Sequence, residues 1–277
     1  MIATPQSHTE FAHSNKKKKK LIECFNKNDI VLFQGNALQE ETFPISFADL
    51  IITSPPYNVG IEYNSNDDEL SYEQYLIFSK QWMENCYQWA NPQARFCLNI
   101  PLDKNKGGHR PVGADLTKVA QSVGWKYKTT IIWNEGNISR RTAWGSWKSA
   151  SAPVVIAPVE LIVVFYKEEW KKTFGTKISD ISAEEFKNWT QGVWVFNGES
   201  KKRIGHPAPF PQELPYRCIK LFSYQNDMVF DPFAGSGTTL VVAHKTNRRA
   251  IGLDLDAQYC QLAAKRLNFE VSTLDRL

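Results

Sequence analysis

The chain has 277 residues, of which 42% are hydrophobic and 22% charged, so it has the composition of an ordinary globular protein and not of a fibrous or wholly disordered one. Its length fits one large domain or two small ones. The net charge of +4 permits a nucleic-acid partner but does not require one.

The start of the chain is polar and basic. Its first residues lack the apolar run of a signal peptide, and Lys16–Lys20 form a charge run, so we expect a disordered arm. The most apolar stretch, Pro153–Tyr166, is interrupted by Pro158 and Glu160 and is too short to span a bilayer. The five cysteines are widely spaced, which indicates no disulfide framework and no zinc site. A reducing, cytoplasmic location without membrane contact is therefore expected, as is the absence of a metal.

Strand and helix signals alternate after the arm. The predicted strands are Asp29–Gln34, Ala48–Thr53, Ala94–Ile100, Lys128–Trp133, Val159–Tyr166, Met228–Asp231 and Ala250–Asp254. The predicted helices are Tyr72–Trp89, Leu116–Val123, Thr238–Lys245 and Ala257–Leu267. This alternation predicts an α/β fold with a doubly wound, mostly parallel sheet. Two stretches that break it, Asn134–Pro158 and Lys167–Lys202, are interpreted as insertions that carry recognition.

A glycine-rich turn follows the strand that ends at Asp231. Gly235 and Gly237 leave backbone N–H groups open to a ligand at the start of a helix. No lysine follows as in a P-loop, and the third glycine of the dinucleotide fingerprint is missing, so a ligand with several phosphates is disfavoured. Asp254 ends the next strand, about 20 residues after Gly235, where an acidic side chain binds ribose hydroxyls in nucleotide-binding α/β folds. S-adenosylmethionine fits this pattern, because it has a ribose and a cationic end that would favour Asp231.

A second motif, Ser54-Pro55-Pro56-Tyr57, ends the strand Ala48–Thr53. The two prolines have no N–H donors, so carbonyl groups there can face a ligand unopposed. Ser54 adds a hydroxyl acceptor and Tyr57 adds an aromatic ring. Two acceptors and a stacking ring suit the exocyclic amino group of a planar base.

Together, these two motifs resemble those of the amino-group DNA methyltransferases of bacterial restriction-modification systems, in the β-type order, with the catalytic motif ahead of the cofactor motif. The segment from His206 to Pro215 is similar to the one that this family places just before its cofactor loop. The resemblance covers most of residues 29–267. It implies a circularly permuted methyltransferase sheet that uses S-adenosylmethionine and acts on double-stranded DNA.

The resemblance also implies roles for individual residues. Ser54, Pro55, Pro56 and Tyr57 would hold the target base. The cofactor would be bound by Asn36, Ala37, His206, Pro207, Phe210, Asp231, Phe233, Gly235, Ser236, Gly237, Thr238 and Asp254. Asn36 departs from the family, which more often has aspartate there. Ser54 stands where adenine-modifying relatives usually carry aspartate, which slightly favours cytosine N4 over adenine N6 as the target.

Basic and aromatic residues outside these motifs are candidates for DNA contact. They are Arg140, Arg141, Trp144, Trp147, Lys148, Lys201, Lys202 and Arg203. Methylation of cytosine carbon 5 is excluded, because that reaction needs a thiolate nucleophile, typically a cysteine after a proline, and the chain has no Pro-Cys pair.

These interpretations divide the chain into an arm (1–20), a catalytic and cofactor-binding domain (21–133 and 204–277) and a target-recognition region (134–203). The function they predict is site-specific methylation of a base amino group in duplex DNA. Two alternatives stay open: an amino-methyltransferase of structured RNA, and a catalytically silent nucleic-acid-binding module. A homodimer and a cognate restriction endonuclease are further expected partners.

Overall fold

The computed structural model describes residues 21–39, 43–58, 70–103, 110–136, 145–155, 159–173, 175–199 and 210–274. Within these ranges the chain forms one nine-stranded sheet with six helices. The strands are β1 (Ile22–Lys27), β2 (Ile30–Gln34), β3 (Ala48–Thr53), β4 (Ala90–Pro101), β5 (Lys126–Glu135), β6 (Val159–Tyr166), β7 (Val193–Phe196), β8 (Met228–Asp231) and β9 (Arg249–Asp254). The helices are α1 (Tyr72–Trp89), α2 (Val112–Val123), α3 (Ala183–Trp189), α4 (Glu213–Phe222), α5 (Thr238–Lys245) and α6 (Ala257–Leu274).

The strands lie in the order β1-β2-β9-β8-β3-β4-β6-β5-β7. From β2 to β4 all neighbours run parallel, β1 and β6 are antiparallel to their neighbours, and β7 is parallel to β5. The predicted α/β fold with a mostly parallel sheet is confirmed. β3 and β8 are adjacent although far apart in the chain, so their carboxyl ends open at the same edge of the sheet.

Apolar side chains cover both faces of this sheet. Successive residues of a strand point to opposite faces, so Leu50 and Ile52 of β3 pack on the side of α4, α5 and α6, while Ile51 packs on the side of α1 and α2. All three are fully buried. Burial on both faces explains why Leu50, Ile51 and Ile52 form a continuous apolar run.

Local sequence explains several boundaries. Ser71 and Gln74 form a reciprocal capping box at the start of α1. Gly124 ends α2 with a φ of 116°, a conformation that glycine adopts without steric cost. β1 and β2 are joined through Asn28 and Asp29, whose φ angles of 51° and 60° suit a tight hairpin turn.

The sequence patterns do not predict β1, α3, β7 and α4. β7 has only four residues, and α4 carries Pro215 in its first turn, where proline is tolerated although it reads as a helix breaker. Asp29, predicted as the first residue of a strand, lies in the hairpin turn. The Lys167–Lys202 stretch contains α3 and β7, so its interpretation as an insertion without framework elements was wrong.

The predicted target-recognition region, residues 134–203, includes β6 and β7, which are hydrogen-bonded into the sheet. Its recognition role stays a prediction, as does the division into domains. The basic arm, residues 1–20, lies outside the described residues. Among the helices described, none combines the length and the apolar character needed to cross a membrane.

Candidate active site

The carboxyl ends of β3 and β8 are linked by a buried hydrogen bond. Thr53 Oγ1 donates to Asp231 Oδ1 over 2.8 Å. Asp231 also accepts from Thr239 Oγ1 at 2.6 Å and from the N–H of Phe233 at 3.1 Å. Burial raises the pKa of Asp231 to about 6, and these three donors oppose the shift only in part. The two motifs, which are far apart in the chain, therefore lie next to each other.

The glycine loop is held to the next strand by Asp254. The N–H of Gly235 donates to Asp254 Oδ2 at 2.8 Å, and the N–H of Asp256 donates to Oδ1 at 2.9 Å. Gly235 and Gly237 have φ angles of 49° and 75°, which glycine adopts readily. Burial raises the pKa of Asp254 to about 6. Its two oxygens have lone pairs beyond these two bonds, so ribose hydroxyls can still be bound.

The segment after β2 lies beside this strand. The N–H of Gly35 donates to the main-chain oxygen of Asp254 at 2.8 Å, while Asn36 Oδ1 accepts from the N–H of Leu38 at 2.9 Å. The Ala37 carbonyl accepts from Asn85 Nδ2 at 2.8 Å. Asn36 and Ala37 are thus placed at the same sheet edge as Asp254.

Further contacts stabilise the loop. Arg266 of α6 donates to Thr238 Oγ1 at 2.9 Å and to the Ser236 hydroxyl at 3.3 Å. Phe233 packs edge-on against Trp82, with ring centroids 5.3 Å apart. Phe210 is half-buried and packs on the other face of the sheet from Phe233, against the core formed with α4, α5 and α6. His206 and Pro207 lie outside the described residues.

The residues Ser54 to Tyr57 form the second half of the site. Pro55 is buried, while Ser54, Pro56 and Tyr57 are half-buried. The hydroxyl groups of Ser54 and Tyr57 are 2.6 Å apart. The bond between Thr53 and Asp231 places this segment beside the glycine loop, so hydroxyl and carbonyl acceptors lie next to a glycine turn and two carboxylates.

Two side chains that sequence reasoning missed complete this half. Asn99 of β4 donates through Nδ2 to Tyr57 Oη at 2.9 Å and to Glu160 Oε2 at 2.6 Å. The Tyr57 hydroxyl donates to the same Glu160 oxygen at 3.0 Å. The available signal was a polar residue inside an apolar run, where such side chains are uncommon: Asn99 interrupts Phe96–Ile100, and Glu160 interrupts β6.

The predicted DNA contacts are described only in part. Trp147 is 61% exposed on the turn formed by residues 145–155, with the ammonium group of Lys148 5.6 Å from its ring centroid. Arg140, Arg141, Trp144, Lys201, Lys202 and Arg203 lie outside the described residues. The DNA-contact role of all eight residues stays a prediction.

All five cysteines are free thiols, and only Cys24 is not buried. Burial raises the pKa of the Cys97 thiol far above its usual range, which opposes formation of a thiolate. Within the described ranges, no three His, Cys, Asp or Glu side chains converge as metal ligands would.

The site fits S-adenosylmethionine on chemical grounds. Asp231 and Asp254 are carboxylates for which burial disfavours the charged form, and a bound cation would restore that form. The sulfonium and ammonium groups of S-adenosylmethionine supply such charge, whereas a phosphate would be repelled. The glycine turn beside these carboxylates leaves room for close backbone approach.

Comparisons with known proteins agree with this chemistry. A family model described as DNA methylase, of the N6 and N4 type, matches residues 48–265. The Type II methyltransferase M.MjaVI of Methanocaldococcus jannaschii is 57% identical over 185 residues, which cover 66% of this chain and 94% of that protein. The Type II methyltransferase M.HpaI of Haemophilus parainfluenzae is 29% identical over 239 residues, which cover 83% of this chain and 71% of that one.

Solved structures share the fold. A DNA modification methylase of Thermus thermophilus, assigned as such only provisionally and complexed with S-adenosyl-L-methionine, has a TM-score of 0.68 and 28% identity over 87% of this chain and 93% of that chain. The cytosine-N4-specific PvuII DNA methyltransferase also has a TM-score of 0.68, with 20% identity over 93% of this chain and 95% of that one, and shows a similar fold. The chain therefore belongs to the DNA methylase family, as an S-adenosylmethionine-dependent enzyme that methylates an exocyclic amino group of a DNA base.

Proposed function

We propose that this enzyme methylates the N4 amino group of a cytosine flipped out of a short duplex recognition sequence. Ser54, Pro55, Pro56 and Tyr57 hold the base. S-adenosylmethionine is bound by the glycine loop, by Asp254, and by the remaining cofactor candidates named from the sequence: Asn36, Ala37, His206, Pro207, Phe210, Asp231, Phe233, Ser236 and Thr238.

The observation that carries the proposal is the hydrogen bond between Thr53 and Asp231. Thr53 directly precedes Ser54, and Asp231 begins the glycine loop, so this bond ties the base-binding end of β3 to the cofactor-binding end of β8. An enzyme that transfers a group between two bound molecules needs both sites within one cavity. Positioning of this kind supplies much of the rate of such a reaction.

The base site works through acceptors. The Ser54 hydroxyl and a carbonyl of the proline pair accept the two amino hydrogens, which draws the nitrogen lone pair away from the base ring. The Tyr57 ring stacks on the face of the base. When bound, S-adenosylmethionine supplies a methyl group on a positively charged sulfur.

Cytosine is favoured by the residue at position 54. Serine stands there, where adenine-modifying members of the resembled family usually carry aspartate. An adenine N6 product would overturn this part of the proposal and leave the reaction type intact. Sequencing of DNA from cells that express the enzyme, with detection of modified bases, identifies both the base and its recognition sequence.

DNA is held beside the cavity by cationic and aromatic groups. Trp147 and Lys148 are both exposed on the 145–155 turn, where they are available to a phosphate backbone. On their sequence alone, six further residues are proposed to contact DNA, and residues 134–203 to form the target-recognition region: Arg140, Arg141, Trp144, Lys201, Lys202 and Arg203. We extend the proposal to a cognate restriction endonuclease and to a homodimer. Sedimentation of the purified enzyme with and without DNA tests the second.

The test of the proposed function is transfer of a tritiated methyl group to duplex DNA. Ser54→Ala and Tyr57→Ala should lose about 100-fold or more in turnover, because base positioning fails. S-adenosylmethionine binding by both variants should stay within about twofold. Tyr127→Ala is a matched control at a more exposed tyrosine of β5. Wild-type rates in the two site variants, or transfer to ribosomal RNA in place of duplex DNA, would contradict the proposal.

A further inference from the structure

Glu160 is an acidic side chain inside the apolar strand β6. It is half-buried, and its Oε2 accepts hydrogen bonds from Tyr57 Oη at 3.0 Å and from Asn99 Nδ2 at 2.6 Å. None of the roles proposed above uses it. A carboxyl group in such a position costs folding free energy, which points to a role in the site.

The hydrogen bonds of this cluster have a defined direction. Tyr57 has one hydroxyl proton, and the carboxylate at 3.0 Å is a closer and more strongly charged acceptor than the main-chain oxygen of Asn99 at 3.4 Å. Because that proton is given to Glu160, the contact of 2.6 Å between Ser54 and Tyr57 must be donated by Ser54. The lone pairs of the Ser54 oxygen therefore stay available to accept.

We propose that Glu160 acts through Tyr57 and Ser54, first by orienting the Ser54 hydroxyl as an acceptor for the target amine and then by taking the proton that the amine releases. The inference rests on the proposed role of Ser54 and Tyr57 in holding the base. It adds a positioning residue from a strand that carries neither motif.

The step balances without any further reactant. The amine nitrogen forms a bond to the methyl carbon as the methyl–sulfur bond breaks, and the electron pair of that bond stays on sulfur. The nitrogen then carries a positive charge and one proton too many. That proton passes to Ser54 Oγ, the Ser54 hydroxyl proton passes to Tyr57 Oη, and the Tyr57 proton passes to Glu160. The product is a neutral methylated amine beside a neutral carboxylic acid.

The electrostatic surroundings of Glu160 suit it to accept a proton. Burial raises its pKa to about 7, the hydrogen bonds from Asn99 and Tyr57 lower it in part, and the negative charge of Glu135 on β5 raises it. The groups that shift its pKa are Tyr57 on the segment after β3, Asn99 on β4 and Glu135 on β5. A proton acceptor is most effective when its pKa lies near the working pH. At a pH below this pKa, Glu160 is protonated and can donate a hydrogen bond to Tyr57. The Ser54 hydroxyl is then no longer held in one orientation.

The test is the pH profile of methyl transfer in a single turnover, with DNA and S-adenosylmethionine both saturating. The wild-type rate should fall as the pH drops through about 7, where Glu160 gains a proton. Glu160→Gln keeps the shape of the side chain and should transfer the methyl group about 100-fold more slowly at high pH. Its rate should also lack the fall at low pH, which is the acid limb of the profile. Glu160→Asp should recover part of the rate together with the limb. Glu135→Gln should keep the wild-type plateau and move the limb to lower pH.

Glu160→Gln tests this inference, and Ser54→Ala tests the proposed function separately. An unchanged rate and limb in Glu160→Gln would overturn it, while loss of turnover in Ser54→Ala would still support the proposed function. Wild-type turnover in Ser54→Ala would instead refute the proposed function. If Glu160→Gln fails to fold, as judged by S-adenosylmethionine binding, the Glu135→Gln profile decides. If the acid limb of Glu135→Gln stays at the wild-type pH, Glu160 is not the group whose protonation limits the rate, and the inference is refuted.

Discussion

Replacement of Thr53 by valine tests the link between the two halves of the site. The change exchanges a fully buried hydroxyl for a methyl group of similar size and removes one of three donors to Asp231. A hydrogen bond to a charged group contributes about 1.5–3 kcal/mol, so we expect the free energy of unfolding to fall by about 2 kcal/mol when Asp231 is ionised. In a chain of this size, that loss lowers the melting temperature by roughly 4 °C.

The loss should depend on pH, because the pKa of Asp231 is raised to about 6. Well below that value the carboxyl group is neutral, and a neutral hydrogen bond contributes only about 1 kcal/mol. Urea unfolding at about pH 8 and about pH 5 therefore measures two different costs for the same substitution. The cost at the higher pH should be about twice the cost at the lower one.

Thr117→Val is the matched control. Thr117 donates to the uncharged Gly113 carbonyl over 2.7 Å, so its replacement should cost about 1 kcal/mol at both pH values. A double-mutant cycle of Thr53→Val with Asp231→Asn should give a coupling free energy above about 0.5 kcal/mol. A cost for Thr53→Val that does not change with pH, together with additive effects in the cycle, would refute the link.

Three further predictions use other parts of the site. Asp254→Ala should weaken S-adenosylmethionine binding about 10-fold or more by calorimetry, since it removes the acceptor of the Gly235 N–H and the proposed ribose contact; an unchanged affinity would contradict that contact. The pKa of Glu160 is raised to about 7, so between about pH 4 and pH 7 the folded state keeps a proton that the unfolded state has released. The stabilisation that this proton gives at low pH is therefore lost as the pH rises through this interval. The decrease in unfolding free energy over that interval should be roughly 3 kcal/mol smaller in Glu160→Gln, and an equal decrease in both proteins would exclude this titration. Lys148→Ala should lower DNA affinity and reduce the slope of log affinity against log salt by about 1, whereas an unaltered slope would leave this residue outside the DNA interface.

Much of the framework was predictable because its strands and helices bury apolar residues in a regular pattern. β3, β6, β8, α1 and α5 have the predicted boundaries, since burial on both faces or along one helical face leaves a regular pattern in the sequence. β7 has one buried residue and α3 has none, so neither leaves a regular apolar pattern in the sequence. Their formation depends on neighbours distant in the chain, such as the pairing of β7 with β5.

The two motifs of the site were predictable because glycine and proline restrict or free the backbone in recognisable ways. The partner residues Asn99 and Glu160 were not, because nothing local marks them as neighbours of Tyr57. β4 and β6 are paired in the sheet, with Asn99 opposite Ile162 and Pro101 opposite Glu160. This register brings both side chains to the tyrosine hydroxyl.

The ends of the sheet framework meet in space. β2 pairs with β9, and α6 packs on β1 and β2, so the first hairpin of the described chain lies beside its last strand and its last helix. A peptide bridge between such neighbours, combined with a cut in a surface connection elsewhere, would leave every strand pairing unchanged. The order in which β3 and β8 follow one another along the chain can therefore change, while their pairing in the sheet is kept.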